Sequence, residues 1–212
     1  MAVKNHFELS ILDSAFRTRL LEVFEEVERG VGREGLAFAL STVILELIGN
    51  AVKANQKRAF FVKNGYSLTE MSSYEEGLIA FKGEYATLSR DYEEALRELD
   101  LKVCVDIDYD NDRLITLVEN NTVLFPAEET RIRQKLGTAM NSTELADFYA
   151  NYGDDTEGQG LGLAMIVFLI RESGFNPSNF RVFRKESRTI ARVEFPLNQN
   201  YIPIRERHLH SL

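Results

Sequence analysis

The sequence predicts an α/β fold: an α+β two-layer sandwich in which a mixed, mostly antiparallel sheet is covered by helices on one face. Three observations carry that expectation. Apolar residues recur every three or four positions over residues 10–29 and 36–58, the repeat of an amphipathic helix. The repeat changes to two over 101–108 and 113–119, and again over 180–184 and 189–195. Each of these pairs is joined by only a few turn-forming residues, which suits an antiparallel hairpin and leaves no room for a crossover.

Taken in order, the first helix presents Ile11, Leu12, Ala15, Phe16, Leu20, Val23, Phe24 and Val27 on one side, and Gly30 and Gly32 end it. The second presents Leu36, Leu40, Val43, Ile44, Leu47, Ile48 and Ala51. Residues 66–100 read as a helical insertion. They hold nine acids against three bases, a net −6 out of a chain total of −8, which suits a solvated face or a partner surface. Tyr109-Asp-Asn-Asp112 supplies the turn of the first hairpin. Residues 123–157 are polar and weakly patterned, and are expected to form a long loop holding a short helix or two, the kind of excursion that serves as a lid. A helix is expected over 161–173, with Gly174 as the left-handed residue just past its end. The final hairpin closes at Pro196, and the polar tail 198–212 is expected to be peripheral to a single domain over 1–197.

Composition narrows the function. With 212 residues, 44% of them apolar, the chain can bury one sizeable core. Its charge of −8 disfavours a protein that grips nucleic acid by bulk electrostatics. The start lacks an apolar signal core and no run of about 18 apolar residues occurs, so a cytoplasmic protein without a membrane partner is expected. The single cysteine, Cys104, lies in an alternating run and is expected to be a buried strand thiol.

Two stretches carry chemistry. Gly158-Gln-Gly160-Leu161-Gly162 immediately precedes an apolar helix, so bare backbone N–H groups and the positive end of the helix dipole converge there, and phosphate is the natural occupant. A flexible hinge is the alternative. Neither a preceding strand nor a Gly-Lys-Ser/Thr ending is present, which removes the dinucleotide fingerprint and the P-loop. In the second helix Glu46 and Asn50 are four apart and Lys53 three further on, so a carboxylate, an amide oxygen and an ammonium project from one side. Such a set can handle a water, a magnesium ion and a phosphate; a solvated polar stripe is the alternative.

The segment Glu46-Leu-Ile-Gly-Asn50-Ala-Val-Lys53-Ala54 resembles the N box of the GHKL ATPases, the superfamily of DNA gyrase, heat-shock chaperones and sensor histidine kinases. Gly158-Gln-Gly160-Leu161-Gly162-Leu163 resembles the family's second glycine box, and Leu117-Val-Glu119-Asn120-Asn121-Thr122 stands where its Asp-Asn-Gly box is expected. Thr189, seven residues before Pro196, resembles the threonine of the last strand of a kinase catalytic domain. The resemblance implies the histidine-kinase-like ATPase fold, with ATP and Mg2+ as cofactors. It implies that Asn50 holds the metal, Glu46 is the general base for water, and Lys53 approaches the phosphates, with Ala54 beside it. Gly158, Gly160, Leu161, Gly162 and Leu163 would close on the phosphates, and Thr189 would stand at the adenine edge. The family reads the adenine amine with an aspartate; Glu119 aligns there and Asn121 replaces a glycine, so this box departs from the pattern.

The same resemblance implies a stand-alone signalling kinase module acting on a separate phosphoacceptor protein. A slow ATPase driving a conformational change, and a non-enzymatic regulator that kept the fold, are the alternatives. His6 only faintly matches an acceptor box, and His208 and His210 lack further metal ligands.

Overall fold

The computed structural model describes residues 2–85, 91–146, 148 and 159–207. Five strands form one open sheet in the order β1-β2-β3-β5-β4, and every described pairing is antiparallel. Strand β1 is Val3–Leu9, followed by α1 (Ser14–Val31), α2 (Leu36–Asn64), α3 (Met71–Glu84) and α4 (Asp91–Glu98). The hairpin β2 (Val103–Tyr109) and β3 (Arg113–Asn120) comes next, then α5 (Pro126–Asn141) and α6 (Gln159–Glu172). A second hairpin, β4 (Phe180–Lys185) and β5 (Arg188–Pro196), and the short α7 (Ile204–Arg207) complete the chain. The chain is therefore the α+β sandwich that the sequence predicts.

Helix α1 starts later than its apolar pattern, because Asp13, whose side chain accepts from the Phe16 N–H at 2.7 Å, is its N-cap. It ends where Gly32 takes φ +70°, while Gly30 stays inside the helix. Strand β1 has no counterpart in the sequence reading. Its Phe7 faces the core while Lys4, His6 and Glu8 stand on the other side, a short and half-polar alternation on an edge strand.

The main core lies between the sheet and α1, α2 and α6. Phe16, Leu20 and Phe24 from α1 and Val43, Ile44 and Ile48 from α2 meet Val103, Val105 and Val118 of the sheet and Ile166 and Val167 of α6. Helix α2 then runs on beyond this core. Its second half buries Ala59, Phe60 and Phe61 against Tyr74, Leu78 and Phe81 of α3 and Leu96 of α4. The acidic insertion is thus fastened by an aromatic cluster of its own, which is why α2 continues past residue 58. By length and composition α2 could span a bilayer, and 56% of that apolar window is buried inside the protein.

Three expectations are corrected. Residues 126–141 are one helix of 16 residues, longer than the short helix expected inside a loop over 123–157, and it is fixed at its far end by Arg171 of α6, which donates to Ser142 O at 2.8 Å and Met140 O at 3.1 Å. Cys104 is half-buried on the sheet face away from the helices, where burial, with Glu8 and Glu119 nearby, pushes its thiol upward. The tail is tied down in part: the Tyr201 hydroxyl donates to the buried Glu194 carboxylate at 2.9 Å, and Ile204 N–H donates to the same oxygen at 3.0 Å. Burial and that bond push the Tyr201 phenol up to about 12. Tyr201→Phe is expected to lower stability by about 1–2 kcal/mol, read from the urea midpoint, and to speed proteolysis between residues 198 and 207.

Candidate functional site

The parity of β3 decides which side chains reach the cleft. Leu114, Thr116, Val118 and Asn120 face the helices, opposite Phe195, Val193, Ala191 and Thr189 of β5. Ile115, Leu117 and Glu119 face the other way. Between this sheet face, α2 and α5 lies an open cleft of about 130 Å³. Asn50, Ala54, Asn120, Leu163 and Thr189 line it.

Glu119, aligned with the adenine-reading aspartate, is therefore outside the cleft, on the other sheet face, with Arg188 Nη1 at 2.5 Å. Asn121 is outside as well: its amide donates to Asp100 O and its oxygen accepts from Lys102 N–H at 3.0 Å, bolting β3 to the start of β2. Asn120 between them is the residue that enters. Its Nδ2 donates to Ala51 O at 2.9 Å and to Asn55 Oδ1 at 2.8 Å, so its Oδ1 is the acceptor left for a ligand. Sequence reasoning missed Asn120, although a signal existed. Val103, Val105 and Ile107 of β2 alternate clearly with polar residues, and the turn register pairs Val103 with Asn120.

At the outer end of the cleft two distant motifs meet. The first turn of α6 brings Gly162 against α2, where a methyl group on Gly162 would overlap the Glu46 carboxylate and stand 3.2 Å from Asn50 Nδ2. Asn50 Nδ2 points at Glu46 Oε1, 3.4 Å away, which leaves Asn50 Oδ1 as the side-chain atom able to ligate a cation. The described part of α6 opens at Gln159 with Gly160 and Gly162 in its first turn, and the first amides of a helix have no carbonyl partner within it. Gly158 lies outside the described residues, as do His208 and His210, and the Leu161 side chain is likewise not described. Thr189 donates to Thr122 O at 2.7 Å and fixes the strand end. Lys53 is not in the cleft wall; its ammonium stands over the Tyr85 ring of the insertion at 4.5 Å.

The inner end is built from charged groups that the sequence reading did not single out. Lys57 and Arg58 on α2 share the carboxylate of Glu128 on α5, all three side chains being less than one-tenth exposed. Glu128 also accepts from Phe125 N–H at 3.0 Å. Burial alone would raise this carboxyl, but the charges of Lys57 and Arg58 and these hydrogen bonds outweigh it and hold it below its ordinary value. Burial lowers the Arg58 guanidinium against the pull of Glu128.

No protein-family model matches the chain, and no solved structure matches it. It is 30% identical over 168 residues to a protein of Treponema pallidum (strain Nichols) described as an uncharacterized protein. That match takes in 79% of this chain and 33% of the Treponema protein, so the chain spans about a third of the length of the curated relative it matches.

The contact between Gly162 and Glu46 can be tested directly. Gly162→Ala is expected to push the Glu46 carboxylate aside, since a flexible side-chain end yields before backbone does. The melting temperature should stay within a few degrees of the wild type, while affinity for any ligand of the outer end falls by roughly tenfold, read by calorimetric titration.

Proposed function

We propose that the chain is a nucleotide-binding domain of the histidine-kinase-like ATPase type, taking ATP with magnesium and acting in signalling on a separate phosphoacceptor protein. One observation carries the reading: Glu46 and Asn50 of α2 meet Gly162 in the first turn of α6, at the outer end of the cleft. Two motifs 112 or more positions apart along the chain thus join a carboxylate, an amide oxygen and a helix N-terminus in one place. Triphosphate fits that combination, because the helix start favours anions and the oxygen donors favour a hard cation.

Among the described residues no group of three or more His, Cys, Asp or Glu side chains could cage a metal. A magnesium ion would rest on Asn50, with Glu46 close by, and on the nucleotide's own phosphates, the usual mode for this ion. The ion would supply neutralisation of phosphate charge; the chain supplies orientation. Asn50 turns its oxygen outward because its amide faces Glu46. Asn120 Oδ1 offers an acceptor for the adenine amine, the role first assigned to Glu119, and Thr189 stands beside it in register.

A second reading, a regulator that binds nucleotide without turning it over, is favoured by one feature. Lys53 and Lys57 of α2 are engaged elsewhere, Lys53 over Tyr85 and Lys57 on Glu128. Incubation with labelled ATP separates the two readings. Transfer or hydrolysis lost in Glu46→Gln supports the enzyme, whereas tight binding with the label unchanged after hours supports the regulator. Titration with a non-hydrolysable ATP analogue tests both at once, since absence of binding with and without magnesium contradicts the whole reading.

A further inference from the structure

Arg58 lies eight residues beyond Asn50 on α2, about 12 Å along the helix axis, and lines the same cleft. It is only 6% exposed. Nη2 donates to Val123 O and stands 3.6 Å from Glu128, and the guanidinium lies over the Phe125 ring at 4.9 Å. Nε and Nη1 are buried and have no hydrogen-bond partner among the described residues, and the same holds for Nδ2 of the neighbouring Asn55. Lys57 and Arg58 share the single Glu128 carboxylate, so the inner end keeps an excess of positive charge and of N–H donors. Buried donors of this kind are normally paired, and a charged one most of all. What reaches them must bring an acceptor.

Asn120 supplies the complementary half. Both of its amide hydrogens are used, on Ala51 O and Asn55 Oδ1, and it lines the same cleft with its oxygen as the atom left over. We propose that Arg58 and Asn120 read the edge of an adenine base together. Asn120 Oδ1 accepts from the exocyclic amine, and Arg58 Nε or Nη1 donates to the adjacent ring nitrogen, N1. This rests on the nucleotide reading above, with the phosphates at the Asn50 end and the base at the Arg58 end. Adenine presents a donor beside an acceptor on this edge. Guanine presents a carbonyl beside an N–H, which would set acceptor against Asn120 Oδ1 and donor against Arg58. Arg58 is a specificity residue by this account: it supplies the donor that Asn120, with both amide hydrogens used, does not.

The test removes one atom from the ligand and one group from the protein. Dissociation constants of ATP, 1-deaza-ATP, 7-deaza-ATP and GTP are measured on the full chain, wild type and Arg58→Met. In the wild type, 1-deaza-ATP and GTP are expected to bind roughly 10- to 100-fold more weakly than ATP, and 7-deaza-ATP about equally. In Arg58→Met, ATP should fall to the level of 1-deaza-ATP, so that the two no longer differ. Equal binding of ATP and 1-deaza-ATP to the wild type overturns the proposal while leaving the nucleotide reading intact. Equal loss for both ligands in Arg58→Met, with their ratio kept, shows a structural role only and overturns it too. Binding of none of the four overturns the nucleotide reading itself. If Arg58→Met does not fold, the wild-type comparison of ATP with 1-deaza-ATP decides alone.

Discussion

Glu128→Ala is expected to destabilise the protein by about 3–5 kcal/mol, a fall of roughly 6–20 °C in melting temperature for a chain of this size. The substitution leaves two buried cations, Lys57 and Arg58, without their shared carboxylate. It also removes the acceptor for Phe125 N–H at the start of α5. The effect belongs to the unpaired charges rather than to the lost packing, so Lys57→Met combined with Glu128→Gln should recover part of the loss. The pH dependence has a definite sign. Because the folded protein holds Glu128 below its ordinary value of 4.5, its contribution is present above that pH and disappears as pH falls through the folded value. Denaturant midpoints should therefore drop more steeply below pH 4.5 in the wild type than in Glu128→Gln.

Phe60→Ala should cost a similar amount, about 3–5 kcal/mol, but with a different spatial signature. The Phe60 ring is 1% exposed and sits among four others, with centroids 5.5 Å from Phe81, 6.0 Å from Tyr66, 6.1 Å from Tyr92 and 6.4 Å from Phe61. These rings hold α3 and α4 on the second half of α2, and they are separate from the core under the sheet. Amide exchange should accelerate in 71–84 and 91–98 and stay slow in β2, β3 and β5. If instead the sheet amides lose protection equally, the insertion and the sheet unfold as one unit.

The fold was legible because its strongest signals are local. The two hairpins announce themselves by alternation with Asp, Asn and Ser at the turns, and Gly32 and Gly174 mark helix ends that positive φ makes real. Strand β1 was not legible: one buried residue, Phe7, among charged neighbours gives no clear period. The cleft was legible at its outer end only. Glu46, Asn50 and Gly162 carry type and spacing, whereas Arg58 and Glu128 are 70 positions apart, and nothing local says that a mid-helix arginine is buried on a distant carboxylate. That Glu119 lies on the far face of the sheet was not legible for a plain physical reason. Strand β3 is apolar on both faces, with Leu114 and Val118 on one and Ile115 and Leu117 on the other, so its own sequence does not fix which face looks into the cleft. Only its pairing with β2 does.

The most direct test of the central claim is calorimetric titration of the full chain with a non-hydrolysable ATP analogue, with and without magnesium, on the wild type and on Asn50→Ala. The account predicts binding that magnesium strengthens in the wild type, and a loss of that magnesium dependence in Asn50→Ala. Binding that magnesium strengthens equally in both proteins, or no binding in either, would contradict it.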